Sequence, residues 1–130
     1  TPTVRGLGDV VDGVVHTSGG FPDEGSAYAQ FIDDFKAATG TTPDNNYYVN
    51  GCDIVNMIEQ AVAAAGSTDP AAVTAAMAEI ENGKGIMSDF TFKGTDRMPL
   101  RDVVVARITG AGEKEFVLRT KADPATLPQP

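Results

Sequence analysis

The sequence has no tryptophan, one histidine and one cysteine among its 130 residues. Because Cys52 has no second cysteine to pair with, it cannot form an internal disulfide, and the cysteine content does not indicate the redox compartment. No run of about 18 apolar residues exists, and the first residues lack the charged start and long apolar centre of a signal peptide. We therefore expect a soluble chain from which any export signal has been removed.

Basic residues are scarce in the first half of the chain. Residues 1–60 contain nine acidic residues and only two basic ones, Arg5 and Lys36. Residues 61–130 contain nine acidic and eight basic residues, but the basic ones form neither a run nor a helical stripe. With a net charge of −8, this pattern excludes a nucleic-acid partner and a polybasic membrane patch. Its 42% hydrophobic and 22% charged residues are typical of one folded domain.

The side chains that support catalysis or metal binding are also few. His16 and Ser18 would face the same side of a strand, but no third group orients the histidine and no G-x-S-x-G turn surrounds the serine. A structural or cleft-lining role is therefore favoured over catalysis. Gly19 and Gly20 lack the spacing and the Lys-Ser/Thr pair of a phosphate loop. The remaining candidate metal ligands are carboxylates, and these lack the spacing of a calcium-binding loop. We therefore predict no metal, no cofactor and no enzyme activity.

The longest run with helical apolar spacing is residues 47–66, which we predict to be the central helix. Its stripe is wide enough to need cover on two sides, and Gly66 is placed to end the helix. We expect Cys52 to pack in this stripe as a small hydrophobe. The other members of the stripe are Ile54, Val55, Ile58, Ala61, Val62 and Ala65.

The remaining elements follow from periodicity and turn residues. They are a loop at 1–13, a buried strand at 14–17, a helix at 26–39, a helix that begins at 70 and ends at 82–83, a strand with one aromatic face at 86–92, a strand covered on both faces at 103–106, and a return strand at 116–118 that closes a hairpin. Residues 122–130 contain three prolines and no apolar period, so we expect them to be extended or disordered.

Paired aromatic residues at the start of the central helix form the one polar and aromatic group that suggests a ligand site. Tyr47 and Tyr48 are followed by Asn50, and aromatic rings beside amides can stack on a small molecule and hydrogen-bond to it. An ordinary turn cluster with one tyrosine packed inward explains the same residues. Both interpretations stay open.

In order and spacing, several short motifs resemble the C-terminal portion of type I periplasmic binding proteins, with the branched-chain amino acid ABC transporter group the most similar. The matching pieces are DGVV at 12–15, the F-x-x-x-F-K segment at 31–36 with its glycine at 40 and proline at 43, GCDIV at 51–55, AGSTDP at 65–70 and FTF at 90–92. Cys52 stands where the family has tyrosine, Ser88 where a second glycine is expected, and residues 92–95 lack the common D-x-x-G turn.

This resemblance implies an α/β fold: a C-terminal segment of a two-lobed protein, with three consecutive helices flanked by strands. Residues 1–20 would be the end of lobe 2 and a crossing strand. Residues 21–96 would be the helices and strand of lobe 1. Residues 97–130 would be the return crossing, running through Arg97 to Asp102, and then the hairpin and tail. We expect the chain to be a fragment of a longer protein.

The resemblance further implies the extracytoplasmic solute-binding component of an ABC importer, which closes two lobes around an amino acid or similar small polar solute. The implied partners are that solute, an ABC permease, and either the missing N-terminal segment or a second copy of this chain. The location would be periplasmic or extracellular, with a lipoprotein anchor as one option. The alternatives are a stand-alone α/β protein-interaction domain and a hydrolase using His16 and Ser18.

Counting along the family motif places a ligand-contacting residue five positions before Cys52, at Tyr47. Tyr48 and Asn50 follow on the same segment and are further candidates by the resemblance. His16 and Phe21 lie on the proposed crossing strand and complete the predicted ligand site.

Overall fold

The computed structural model describes residues 2–95, 98–110, 112–121 and 123. Within these ranges the chain forms four helices and five strands, with a 3-10 turn at Gly8–Val11. The helices are α1 Pro2–Arg5, α2 Ala27–Thr39, α3 Tyr47–Ala65 and α4 Pro70–Ala78. The strands are β1 Val15–Ser18, β2 Phe90–Thr91, β3 Leu100–Arg101, β4 Val103–Ile108 and β5 Lys114–Thr120. This order of helices and strands confirms the α/β prediction.

The strands form two separate antiparallel sheets. The larger has the order β1-β4-β5, so that β4 pairs on both sides, with Ser18 opposite Val104. The smaller pairs β2 with β3, with Phe90 opposite Arg101. Strands β4 and β5 follow one another and pair directly, which confirms the predicted hairpin.

The ends of the helices are set by the residues that the sequence indicates. Ser26 accepts a hydrogen bond from the backbone N–H of Ala29 at the start of α2, and Gly40 ends that helix in the left-handed conformation with φ of 76°. Gly66 ends α3 in the same conformation. Asp69 caps α4, and Pro70 occupies its first turn, where a missing N–H costs nothing.

The buried face of α3 is not the predicted one. The helix buries Val49, Asp53, Met57 and Ala61, a row of residues four apart. Cys52 is exposed, and so are Ile54, Val55 and Ile58, with exposed fractions of 58%, 57% and 46%. Helix α3 carries apolar residues on two faces. The described residues bury the face with Val49 and Met57 and leave the face with Ile54 and Ile58 exposed. The prediction that Cys52 packs in the core is therefore wrong.

The first strand and the segment before it also differ from expectation. Residues 2–5 and 8–11 are helical where a loop was predicted. Strand β1 is an edge strand; its first residue, Val15, and the preceding Val14 are about half exposed. Strand β4 buries Val104, Ala106 and Ile108 on one face, whereas Val103 is exposed on the other, so it is not covered on both faces in this chain.

After α3, fewer residues are in helix or strand than predicted. Helix α4 ends at Ala78, and the strand predicted at 86–92 is reduced to Phe90–Thr91. Residues 86–88 turn instead, which buries Met87 beside Tyr28 and Val49. Phe90 and Phe92 do lie together, with ring centroids 5.9 Å apart. Arg97 and all of the predicted tail except residue 123 lie outside the described residues.

Candidate functional site

Two crossing segments connect the three-stranded sheet to the helical part of the chain. The first crossing, residues 19–26, leads from the end of β1 to α2. The second crossing, residues 98–102, contains β3 and leads into β4. Thr17, Ser18 and Gly19 face residues 98–103 across a cavity of about 460 Å³, so the two crossings run beside each other.

The first crossing passes very close to the turn at Met87. Gly20 is buried, and a Cβ at this position would overlap both Cγ and the carbonyl oxygen of Met87. Since the overlap includes backbone, a side chain at position 20 would have to displace one of the two segments. The crossing is therefore packed directly against the helical part of the chain.

A buried carboxylate fixes the second crossing to α3. Asp53 is 1% exposed and accepts hydrogen bonds from the backbone N–H groups of Ile86 at 2.5 Å and Met87 at 3.4 Å. Arg101 donates to it from Nη1 at 2.7 Å, and the guanidinium also lies 5.8 Å from the centre of the Phe90 ring. One side chain thus joins α3, the turn at 86–87 and β3.

Asp53 was not singled out by the sequence reasoning. The available signal was an acidic residue at four-residue spacing between two apolar ones, Val49 and Met57. A charge in a buried row requires a partner, because desolvation of an unpaired carboxylate costs several kcal/mol.

A chain of hydrogen bonds ties the start of α3 to the end of β1. The Tyr28 hydroxyl donates to Asn46 Oδ1 at 2.9 Å, and Asn46 Nδ2 donates to Ser18 Oγ at 2.9 Å. Ser18 in turn donates to the carbonyl oxygen of Gly20 at 2.9 Å. Burial raises the pKa of the Tyr28 hydroxyl, which keeps it a neutral donor up to alkaline pH.

The two predicted tyrosines differ in their surroundings. Tyr47 is 81% exposed, and its ring has no hydrogen bond or ring partner among the described residues. Tyr48 packs edge-on against Phe35 of α2, with ring centroids 4.9 Å apart. Asn50 lies three residues after Tyr47 on the same side of α3, because positions three apart are neighbours on a helix. The arrangement leaves Tyr47 and Asn50 facing outward and holds Tyr48 against α2.

The other two predicted site residues lie in different places. His16 is half-buried in β1, with Nδ1 3.2 Å from the carbonyl oxygen of Thr17. Through Ser18 and Asn46, this end of β1 is linked to the segment that carries Tyr47. Phe21 lies apart from them, packed edge-on against Phe116 at 5.6 Å between centroids.

Phe21 lines a second cavity, which has a volume of about 520 Å³. This cavity lies between the first crossing, the segment 81–91 and the end of β5, and Asp23 and Arg119 form an ion pair at its edge. Neither Tyr47 nor His16 lines it. This cavity therefore brings Phe21 together with neither Tyr47 nor His16.

His16 and Ser18 do not form a catalytic pair. Each side chain has its own partner, the Thr17 carbonyl for His16 and the Asn46 amide and Gly20 carbonyl for Ser18, and no hydrogen bond joins the two in the described part of the chain. Activation of a serine requires that bond to a base. The geometry gives no support to the hydrolase alternative.

The described ranges contain no cluster of three histidine, cysteine or acidic side chains that could hold a metal ion. Over the same ranges, no helix has both the length and the apolar character needed to cross a bilayer.

The described residues thus combine an α/β arrangement, two neighbouring connecting segments and an exposed aromatic side chain, Tyr47, at the start of α3. The family of periplasmic binding proteins matches residues 1–114. Since this covers most of the sequence, the chain belongs to the periplasmic binding protein family. Comparison with curated protein sequences gave no match.

Several solved structures share the fold. A branched-chain amino acid ABC transporter periplasmic ligand-binding protein from Burkholderia xenovorans is 21% identical with a TM-score of 0.77, covering 96% of this chain and 35% of that one. A leucine-binding protein from Thermotoga maritima is 20% identical with a TM-score of 0.71, covering 88% and 32%. An ABC transporter solute-binding protein from R. palustris, in complex with benzoate, is 21% identical with a TM-score of 0.68, covering 90% and 32%. The chain thus spans about a third of the length of the structures it matches.

Proposed function

We propose that this chain is part of the solute-binding component of an ABC importer, in which two lobes close around a small polar solute. The family match supports the class. The observation that carries the proposal is the exposed ring of Tyr47, whose neighbour Asn46 donates a hydrogen bond to Ser18 at the first crossing. We propose that this ring meets the solute when the lobes close. Closure around the solute, without bond chemistry, is the mechanism.

The crossings suggest how the chain divides between the lobes. Residues 1–20 and 97–130 are proposed to belong mainly to one lobe through the sheet β1-β4-β5, and residues 21–96 to the other through the helices. Hydrogen bonds and ion pairs such as Asp53 with Arg101 then hold the crossings against the helical lobe.

The proposed solute is a small carboxylate with an apolar body, an amino acid being the first choice. The similar structures include a leucine-binding protein and one that holds benzoate, and both molecules combine a carboxylate with an apolar group. Tyr47 would pack on the apolar body, and Asn50 and His16 would border it. Tyr48, which packs against Phe35 of α2, would support this surface. Phe21 belongs to the site only if the cavity that it lines opens to the solute. Groups that hold the ammonium and carboxylate are expected elsewhere in the full-length protein.

The proposed partners are the solute and an ABC permease, which receives the solute from the closed protein. The proposed location is periplasmic or extracellular, either free or anchored as a lipoprotein. The outer face of α3 is apolar and exposed. We therefore also propose that this face is covered by the rest of a longer protein or, in the isolated 130-residue chain, by a second copy.

Replacing Tyr47 with alanine is expected to weaken solute binding by the full-length protein roughly tenfold to a hundredfold, or about 1 to 3 kcal/mol, because the solute loses a desolvated aromatic contact. Isothermal titration calorimetry with L-leucine, L-isoleucine, L-valine and benzoate measures this change. Tyr48→Phe is the matched control, since it removes a hydroxyl and keeps the ring contact with Phe35. Unchanged affinity in folded Tyr47→Ala would remove Tyr47 from the site.

A further inference from the structure

Asn46 stands at the N-cap position of α3 but does not cap the helix. Asparagine in this position ordinarily accepts a hydrogen bond from a backbone N–H in the first turn, and the side chain of Asn46 makes no such bond. Asn45 accepts from the Tyr47 backbone N–H instead, at 2.8 Å. The Asn46 amide is therefore free to make contacts outside its own helix.

The side chain of Asn46 belongs to a series of three hydrogen bonds in which each group donates to the next. The Tyr28 hydroxyl donates to Oδ1, Nδ2 donates to Ser18 Oγ, and the Ser18 hydroxyl donates to the Gly20 carbonyl, each at 2.9 Å. Only one orientation of the amide satisfies all three bonds, because the oxygen must face Tyr28 and the N–H must face Ser18. A carboxylate at position 46 could not donate to Ser18.

These bonds connect three parts of the molecule that the hinge must keep in register. Tyr28 belongs to α2, Asn46 immediately precedes the exposed ring of Tyr47, and Ser18 ends β1 at the first crossing. The last residue in this series of hydrogen bonds, Gly20, is also held in place, since it packs against the backbone of Met87. A shift of the first crossing is therefore transmitted to the turn that carries Tyr47.

We propose that Asn46 is a positioning residue for solute binding: its amide holds the first crossing against the start of α3, and so sets where Tyr47 stands when the lobes close. This inference rests on the proposed function and adds the residue that couples the hinge to the solute-facing aromatic ring. Asn46 acts through Tyr47 and does not itself contact the solute.

The test is Asn46→Asp in the full-length protein, with L-leucine and benzoate as probes. Aspartate has the same size, still accepts from Tyr28, and is favourable at a helix N-terminus, so α3 is retained. It lacks the N–H that reaches Ser18, and the Ser18 hydroxyl can donate to the new carboxylate only by giving up its bond to the Gly20 carbonyl, so one bond of the series is lost in either case. The dissociation constant is expected to rise about three- to tenfold, the equivalent of about one neutral hydrogen bond, because Tyr47 is no longer held where it meets the solute. The melting temperature is expected to stay close to that of the wild type.

Asn56→Asp is the matched control. Asn56 lies on the same helix, and its Nδ2 donates to the Lys84 carbonyl at 2.7 Å, away from both crossings. The substitution removes the same kind of donor and is expected to leave the dissociation constant unchanged. Ser18→Ala cuts the link from its other end and should reproduce the loss of affinity.

The outcomes separate the inference from the function on which it rests. Wild-type affinity in both Asn46→Asp and Ser18→Ala would overturn the positioning role, and so would an equal loss in Asn56→Asp. If Asn46→Asp does not fold, Ser18→Ala decides alone. Absence of binding in the wild-type protein, in contrast, would contradict the proposed function and this inference with it.

Discussion

Replacing Arg101 with alanine is expected to lower the free energy of unfolding by about 3 to 5 kcal/mol, the usual cost of leaving a buried charge without its partner. Asp53 is 1% exposed and relies on Arg101 for its one charged contact among the described residues. Its remaining hydrogen bonds come from the backbone N–H groups of Ile86 and Met87, which do not neutralise the charge. The second crossing should loosen from α3 at the same time.

Urea unfolding of the full-length protein, followed by circular dichroism, measures the loss. Lys84→Ala is the matched control, because its ion pair with Asp89 is equally short at 2.6 Å but exposed on both sides. Exposed pairs contribute about 0 to 1 kcal/mol. The double variant Asp53→Leu with Arg101→Met should recover much of the loss, since it removes both charges. If Arg101→Ala cost no more than Lys84→Ala, the buried pair would not be the anchor of the second crossing.

The 130-residue chain on its own is expected to self-associate through the outer face of α3. This face, defined by Ile54, Val55 and Ile58, is about half exposed, so covering it gains roughly half of the about 1.5 to 3 kcal/mol that full burial of each such side chain contributes. Contiguous exposed apolar surface of this kind marks an interaction site in soluble proteins. Sedimentation velocity over a range of concentrations is expected to show dimers or larger species.

The variant Ile54→Gln with Ile58→Gln should shift the chain to monomer, because glutamine keeps helix propensity and removes the apolar contact. Ala63→Gln is the control on the opposite side of α3, where the wild-type residue is also exposed. A wild-type chain that stays monomeric and melts cooperatively at every concentration would show that this face needs no cover.

Local sequence signals predicted the start of α4 and the ends of α2 and α3. Asp69 followed by Pro70 begins α4, and Gly40 and Gly66 end α2 and α3 in the left-handed conformation. Each of these signals acts over a few residues, so no long-range information is needed to interpret it. The pairing of β4 with β5 was predictable for the same reason, because a short turn separates them.

The face that α3 buries could not be predicted in this way. Apolar residues occur both in the row of Val49 and Met57 and around Ile54 and Ile58, and helical period alone does not rank two apolar faces. The choice depends on what packs against the helix. A charged residue, Asp53, marks the buried row only once Arg101, 48 residues later, is known to reach it.

The surroundings of the proposed site residues could not be predicted for a similar reason. The aromatic pair at 47–48 stands out locally, but nothing local shows that Tyr48 turns to Phe35 while Tyr47 stays exposed. The role of Asn46 depends on Ser18 and Tyr28, residues 28 and 18 positions away. Sequence spacing alone points to residues 46–50 as a group. Only tertiary contacts show that these residues have different surroundings.

Small-angle X-ray scattering of the full-length protein, with and without solute, tests most directly the claim that this chain belongs to a two-lobed protein that closes on its solute. A panel of L-amino acids and benzoate is first screened by calorimetry, and scattering is then recorded with the solute that binds. We predict a smaller radius of gyration with bound solute, reached at the concentrations that saturate the calorimetric titration. Saturated binding with an unchanged radius of gyration would contradict closure, and absence of binding across the panel would contradict the proposed function.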